Sequence, residues 1–237
     1  MDAYWLGRAD YEAIWTLQEK LRQRVLAGGP EALLLCEHPP VLTLGKSADA
    51  AEITIDAATL AAHGVAVVRT SRGGKVTYHG PGQLVVYPIV RLRHGLVRHI
   101  EALAGAAVAT AAKLGIAARF ERERVGVYIG AQKLAAIGVH VTRRVAIHGM
   151  ALNVTAQSTA VFRRGWFLPC GELGGQVTCL AEELARRGGP GPGPDPEPTL
   201  LAIAEALHGE LFARFDIPPS ALTTTTASLL SSALFVK

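Results

Sequence analysis

The stretch Arg72–Ile89, RGGKVTYHGPGQLVVYPI, packs an arginine, a lysine, a tyrosine, a histidine and two glycines into eight residues, directly before an apolar run. Gly73 and Gly74 let the main chain approach a ligand closely and take up positive φ, and Gly80-Pro81-Gly82 forms a tight, stiff corner. Backbone of this kind can aim its N–H groups at a developing oxyanion. Function concentrates at such loop–strand junctions. Two more side chains carry chemistry. Cys170, in FLPCGEL, stands between Pro169 and Gly171, a setting unlike a packed core position, and reads either as a nucleophile or as an inert thiol. Lys133, in IGAQKLAAIGVHV, enters an apolar strand, where it snorkels at the edge or is held inward for a purpose. Next to a thiol, its ammonium would favour the reactive thiolate.

The other reactive residue types have simpler readings. Cys36, in LLLCEH, reads as a small core hydrophobe, and Cys179, in VTCLAEEL, as packing at a helix entry. Three cysteines without a C-x-x-C unit supply neither a zinc ribbon nor a thioredoxin motif. His140 and His148 have no spacing that joins them into a metal site, and no cofactor is expected. GKS at Gly45–Ser47 ends like a phosphate-binding loop, but Pro40 stands where that loop requires glycine. The net charge of +4 gathers in VRLRHGLVRHI and in arginine pairs, which suits either a solvated face or docking of acidic partners. No basic stripe is interleaved with aromatics, so nucleic acid binding is not indicated. No apolar run is long enough to span a bilayer. The first residues lack a basic-then-apolar signal pattern, and a cytoplasmic protein is expected.

These residues need a scaffold of alternating elements. Apolar spacing predicts a helix from Asp10 to Leu26, with Asp10 as N-cap and Gly28–Gly29 as its end. EALLLCEHPPVLTLG reads as two short strands broken by Pro39–Pro40, followed by a brief helix near Asp56–Ala62 and a strand at Val65–Val68. QLVVYPIV has the near-continuous apolar character of a strand inside a sheet. An Ala-rich helix from about His99 to Leu114 precedes four strand-like runs: AARF, VGVYIG, KLAAIGVHV and VAIHGMALNV. VTCLAEELARR and LLAIAEALHGELFARF read as helices around a Pro/Gly-rich insertion at 188–198. Strands bunched between helices predict an α/β (α+β) fold with a mixed sheet, a single domain over 1–217. Residues 218–237, low in charge and rich in Ser and Thr, read as a weakly attached tail.

Taken together, RGGKVTYHGPGQLVVYPI, KLAAIGVHV, HGMALNV and PCG, in that order, resemble the lipoyl(octanoyl) transferases. LGRADYEAIWTLQEKL and CEHPPVLTLGKSA resemble that family's opening segments, so the likeness runs from about Trp5 to Phe215. It implies the fold of the biotin and lipoate protein ligases, a mixed sheet flanked by helices with an acyl tunnel beside it. It implies transfer of an octanoyl group from octanoyl-acyl carrier protein to a lysine of lipoyl domains, those of 2-oxoacid dehydrogenase complexes and the glycine cleavage H protein, without ATP. By match to the family pattern, Cys170 is the nucleophile and Lys133 lowers its pKa and assists proton transfer. Arg72, Gly73, Gly74, Lys75, Val76, Thr77, Tyr78 and His79, then Ala136-Ile137-Gly138 and Gly149-Met150-Ala151, correspond to the substrate-binding segments. An ATP-dependent ligase of the same fold and a non-catalytic carrier-binding module are the alternatives.

Overall fold

The computed structural model describes residues 1–168, 176–187, 199–218 and 220–235. Strand β1 (Asp2–Arg8) leads into helix α1 (Tyr11–Leu26), which the Asp10 carboxylate caps by accepting the Ala13 N–H at 2.9 Å. Strands β2 (Ala32–Glu37) and β3 (Val41–Leu44) flank Pro39–Pro40 as the sequence predicts. Helix α2 (Ala57–Ala62), strands β4 (Ala66–Arg69), β5 (Val76–His79) and β6 (Gln83–Arg91), and helix α3 (Gly95–Lys113) follow. Next come β7 (Arg119–Glu121), β8 (Gly126–Ile129), β9 (Gln132–Thr142) and β10 (Val145–Asn153), then helices α4 (Gln157–Ala160), α5 (Leu180–Arg186) and α6 (Leu200–Arg214). Strand β11 (Leu222–Thr224) and helix α7 (Ala227–Phe235) complete the described chain.

Eight strands form one mixed sheet in the order β11-β1-β2-β6-β10-β9-β8-β7, and β4-β3-β5 form a small second sheet. The expected mixed α/β architecture is present. Strand β2 is buried throughout because both faces are covered: Leu33 and Leu35 meet α3 and α6, while Leu34 and Cys36 meet α1. Pro39–Pro40 does more than break a strand. The chain leaves the large sheet after β2, forms β3, β4 and β5, and returns through Gly80-Pro81-Gly82 to β6, which pairs with β2 (Cys36 opposite Val85). VTYH is therefore a strand of the small sheet, antiparallel to β3, and the part of the glycine motif that precedes it outside any strand is residues 72–75.

The HGM motif also has a structural origin. The register of β6 and β10, with Ala146 opposite Val90 and Met150 opposite Val86, sets His148 opposite Pro88, which has no N–H to donate. His148 takes φ +58°, and its N–H donates instead to Gln18 Oε1 of α1 at 2.8 Å. A Cβ on neighbouring Gly149 would lie 2.1 Å from the Val86 carbonyl oxygen, so glycine is needed for the strands to close. Gly149→Ala is expected to destabilise the fold by about 2 kcal/mol, read as a lowered midpoint in denaturant unfolding.

Residues 220–235 depart from the expected weakly attached tail. Strand β11 adds to the sheet edge parallel to β1, with Ala3 opposite Leu222, and α7 packs on α1 through buried Leu230. Three-residue β11 is too short for periodicity to reveal, and β1, only partly buried, was equally hidden. Among the described residues no helix is long and apolar enough to cross a membrane, and no His, Cys, Asp and Glu cluster could hold a metal ion.

Candidate active site

The glycine loop is held by its own arginine. Arg72, 7% exposed, folds its guanidinium inward: Nη2 donates to the Thr43 carbonyl at 2.5 Å and the Lys75 carbonyl at 2.8 Å, and Nη1 donates to the Gly73 carbonyl at 3.0 Å. The loop backbone is tied on two sides. The Gly73 N–H donates to the Val139 carbonyl of β9 at 3.0 Å, and the Lys46 N–H donates to the Arg72 carbonyl at 2.9 Å. Glycines make this three-way approach possible: a Cβ on Gly45 would sit 2.2 Å from the Gly74 carbonyl oxygen, and one on Gly138 would sit 3.0 Å from that of Gly73. Gly74 itself has φ +86°. Close packing against the loop thus demands glycine at Gly45 and Gly138, whereas Gly74 is demanded by its own positive φ.

Between this loop and strands β8–β9 lies a cleft of about 600 Å³. Arg72 to Thr77, Lys133, Ala136, Ile137, Gly138 and Ala151 all line it, so three segments distant in sequence converge. Val76, Val125, Ile137, Phe162 and Val177 give it an apolar wall suited to an aliphatic chain. Four expected residues lie behind the wall. Tyr78 packs edge-on to Phe162 in the small sheet's core, His79 is buried, Gly149 closes on β6, and Met150 sits in the core under α3 and α6. The sequence reading missed Gln83 and Asn153 in the lining, although both lie in quoted motifs, GPGQ and HGMALN. Their polarity at positions entering the sheet was the available signal.

Lys133 faces the cleft rather than snorkelling at an outer edge. Its Nζ lies 5.4 Å from the ring centroid of Tyr128, the residue opposite it on β8. Its main chain pairs with the segment that follows PCG: the Lys133 N–H donates to the Gln176 carbonyl at 2.9 Å, and the Thr178 N–H donates to the Lys133 carbonyl at 3.1 Å. Cys170 lies outside the described residues. On its other flank the Leu168 N–H donates to the Glu52 carbonyl at 2.8 Å.

The remaining cysteines behave as packing residues. Both are fully buried and neither lines the cleft. Burial pushes the Cys36 thiol far above its ordinary value and the Cys179 thiol up to about 11, so neither supplies a thiolate near neutrality. Burial likewise lowers His38 to about 4 and both His79 and His148 to about 3, which keeps all three imidazoles neutral.

A model of the lipoyl protein ligase A/B catalytic domain matches residues 10–188. The chain is 44% identical over 185 residues to the octanoyltransferase of Geobacter metallireducens, covering 76% of this chain and 82% of that one. It is 37% identical over 233 residues to the octanoyltransferase of Mycobacterium leprae, covering 95% of each. Among solved structures, a putative lipoate protein ligase from Thermoplasma acidophilum with bound lipoic acid superposes with a TM-score of 0.71 at 16% identity, covering 99% of this chain and 95% of that one. A lipoate-protein ligase A bound with ATP gives 0.72 at 17% identity, covering 100% and 95%. The matched model spans most of the chain, and the relatives extend the likeness across nearly all of it. This chain belongs to the lipoyl protein ligase A/B catalytic domain family.

Proposed function

We propose that this protein is an octanoyltransferase of lipoate biosynthesis, which takes an octanoyl group from octanoyl-acyl carrier protein, holds it as a thioester on Cys170 and passes it to a lysine of a lipoyl domain. One observation carries the reading: the apolar cleft is lined by a lysine whose main chain is paired with Gln176 and Thr178, in the segment that follows PCG in sequence. The names and identities of the octanoyltransferase relatives support it. The substrate-binding assignment rests on the convergence of Arg72–Thr77 and Ala136–Gly138 on the same cleft.

In the first half-reaction the Cys170 thiolate, favoured by the Lys133 ammonium, attacks the donor's thioester carbonyl. The tetrahedral oxyanion collapses, the C–S bond to the carrier breaks, and the carrier leaves as a thiolate that takes its proton from the Lys133 ammonium, so that Lys133 is left as the neutral amine. The Gly73 amide is already engaged by Val139, which leaves the Gly74 and Lys75 amides as the loop's candidate oxyanion donors. In the second half-reaction a neutral acceptor amine attacks the octanoyl-Cys170 carbonyl. The C–S bond to Cys170 breaks, the amide forms, and Lys133 takes the amine's proton. One thioester replaces another before the amide forms, so ATP has no part in the balance. Acceptors of the two classes implied above, a cytoplasmic location and an acidic carrier docking on the basic surface belong to the same reading.

The ATP-bound ligase neighbour makes an adenylate-forming ligase the competing reading, through shared fold alone. Mixing the protein with octanoyl-carrier protein, without ATP, is expected to give an intact-mass increase of one octanoyl group. The adduct should be labile to hydroxylamine and map to the peptide containing Cys170. Transfer that requires free octanoate and ATP, with no such adduct, would establish the ligase instead.

A further inference from the structure

A run of buried hydrogen bonds crosses beneath the cleft, and every donor in it points the same way. Arg72 Nη2 donates to Thr43 Oγ1 at 2.8 Å, which leaves the Thr43 hydroxyl proton for His79 Nε2 at 3.4 Å. His79 Nδ1 donates to Gln83 Oε1 at 2.8 Å, as the neutral imidazole requires. Gln83 Nε2 donates to Asn153 Oδ1 at 3.0 Å, and Asn153 Nδ2 donates to the Thr178 carbonyl at 3.0 Å. The Thr178 N–H donates to the Lys133 carbonyl at 3.1 Å. Thr43, His79, Gln83 and Asn153 are each at most 6% exposed. Reversing any one link would leave two donors or two acceptors face to face among side chains that are almost wholly buried.

We infer that Gln83 and Asn153 are positioning residues: their paired amides set the spacing between the glycine loop staple at Arg72 and the strap at residues 176–178 that aligns Lys133 for acyl transfer. This rests on the transferase reading for its kinetic consequence, but not for its geometry. The two amides sit opposite each other across β6 and β10, so the sheet register itself delivers them to one point. Apolar residues there would pack, but would leave the Thr178 carbonyl and the His79 N–H unpaired. Asn153 gives the strap its one side-chain tie to β10 among the described residues, while Gln132 of β9 donates to the Val177 carbonyl at 3.3 Å. His79, expected at the substrate, thereby acts from behind the loop.

Asn153→Asp separates positioning from bulk. The introduced carboxyl, when protonated, can still accept from Gln83 and donate to the Thr178 carbonyl; when ionised, it turns an oxygen anion towards that carbonyl. Burial will hold its pKa above the usual carboxyl range. The ionisable groups linked to this point are His79 on β5, Lys133 on β9, and Glu183 on α5, which accepts from the Thr178 hydroxyl and pairs with Arg186. Octanoyl transfer should be measured across pH for the wild type, Asn153→Asp and Asn153→Ala. Asn153→Ala is expected to lose about tenfold or more in kcat, with KM for the lipoyl domain within about twofold of the wild type. Asn153→Asp should approach wild-type kcat at low pH and fall towards the Ala variant as pH rises. A ratio of Asn153→Asp to wild-type activity that stays flat with pH, or a folded Ala variant with wild-type kcat, overturns the assignment. Amide exchange of residues 176–178 provides a readout independent of octanoyl chemistry. It should be faster in Asn153→Ala while β10 stays protected, and unchanged exchange at the strap would sink the relay even if the wild type transfers octanoate by another route.

Discussion

Cys170→Ser should reduce octanoyl transfer by about 10³-fold or more and abolish the hydroxylamine-labile adduct in intact-mass analysis. A serine hydroxyl at neutral pH has almost no alkoxide, whereas a free cysteine is already a few per cent thiolate. On the proposed mechanism the charge of Lys133 enlarges that fraction for sulfur, but it cannot ionise a hydroxyl whose pKa lies far higher. The two other thiols cannot take over. Cys36 and Cys179 are buried away from the cleft, with burial raising both thiols out of the neutral range. Cys179→Ser is the matched control and should leave the transfer rate near that of the wild type. Should Cys179→Ser abolish activity while Cys170→Ser retains it, the nucleophile has been misassigned.

Lys133→Ala should lower kcat by about 10²-fold or more, because both proposed half-reactions use the amine. The variant's diagnostic is the thiol itself. Without the ammonium, the alkylation rate of Cys170 should follow a titration curve shifted up towards ~8.5, the value of a free thiol. Cys36 and Cys179 do not react in that range, so the profile reports one residue. Lys133→Arg divides the two roles. The guanidinium keeps the positive charge and hence the thiolate, but it does not give up a proton in proteins. Octanoyl-enzyme should therefore form and accumulate in Lys133→Arg while transfer to the lipoyl domain stalls. Mass spectrometry of the enzyme in the presence of both substrates distinguishes this from a variant that never acylates. A Lys133→Ala enzyme with an unshifted alkylation profile would remove the electrostatic role.

Much of the scaffold was readable because the local signals were strong. The α1 stripe of Ile14, Leu17, Leu21 and Val25, its Asp10 cap and the glycines after it agree in period and chemistry, and the helix forms over Tyr11–Leu26. The uninterrupted apolar character of QLVVYPIV correctly marked an interior strand, covered on both faces. The mixed α/β class followed from the alternation of such segments. Short edge elements were not readable. Three residues of β11 or the half-buried β1 do not carry a period, and their pairing is decided by what the sheet edge offers.

The site divides along the same line. Residue types were enough to single out Arg72–His79 and Lys133, because close backbone approach demands glycine and a cation inside an apolar run demands a reason, whereas Ala136–Gly138 came only from the family resemblance. That these segments share one cleft was legible only as a family resemblance. The amino-acid sequence by itself determined the helices, the interior strands and the inventory of reactive groups, since these depend on neighbours within a few residues. Tertiary structure alone decided that VTYH leaves the large sheet, that Tyr78 and His79 turn inward, and that Pro88 forces His148 into positive φ. It also decided that Gln83 meets Asn153 seventy residues away. Sheet register sets these outcomes, and register is fixed by the packing of both faces at once, a condition that no local stretch of chain contains.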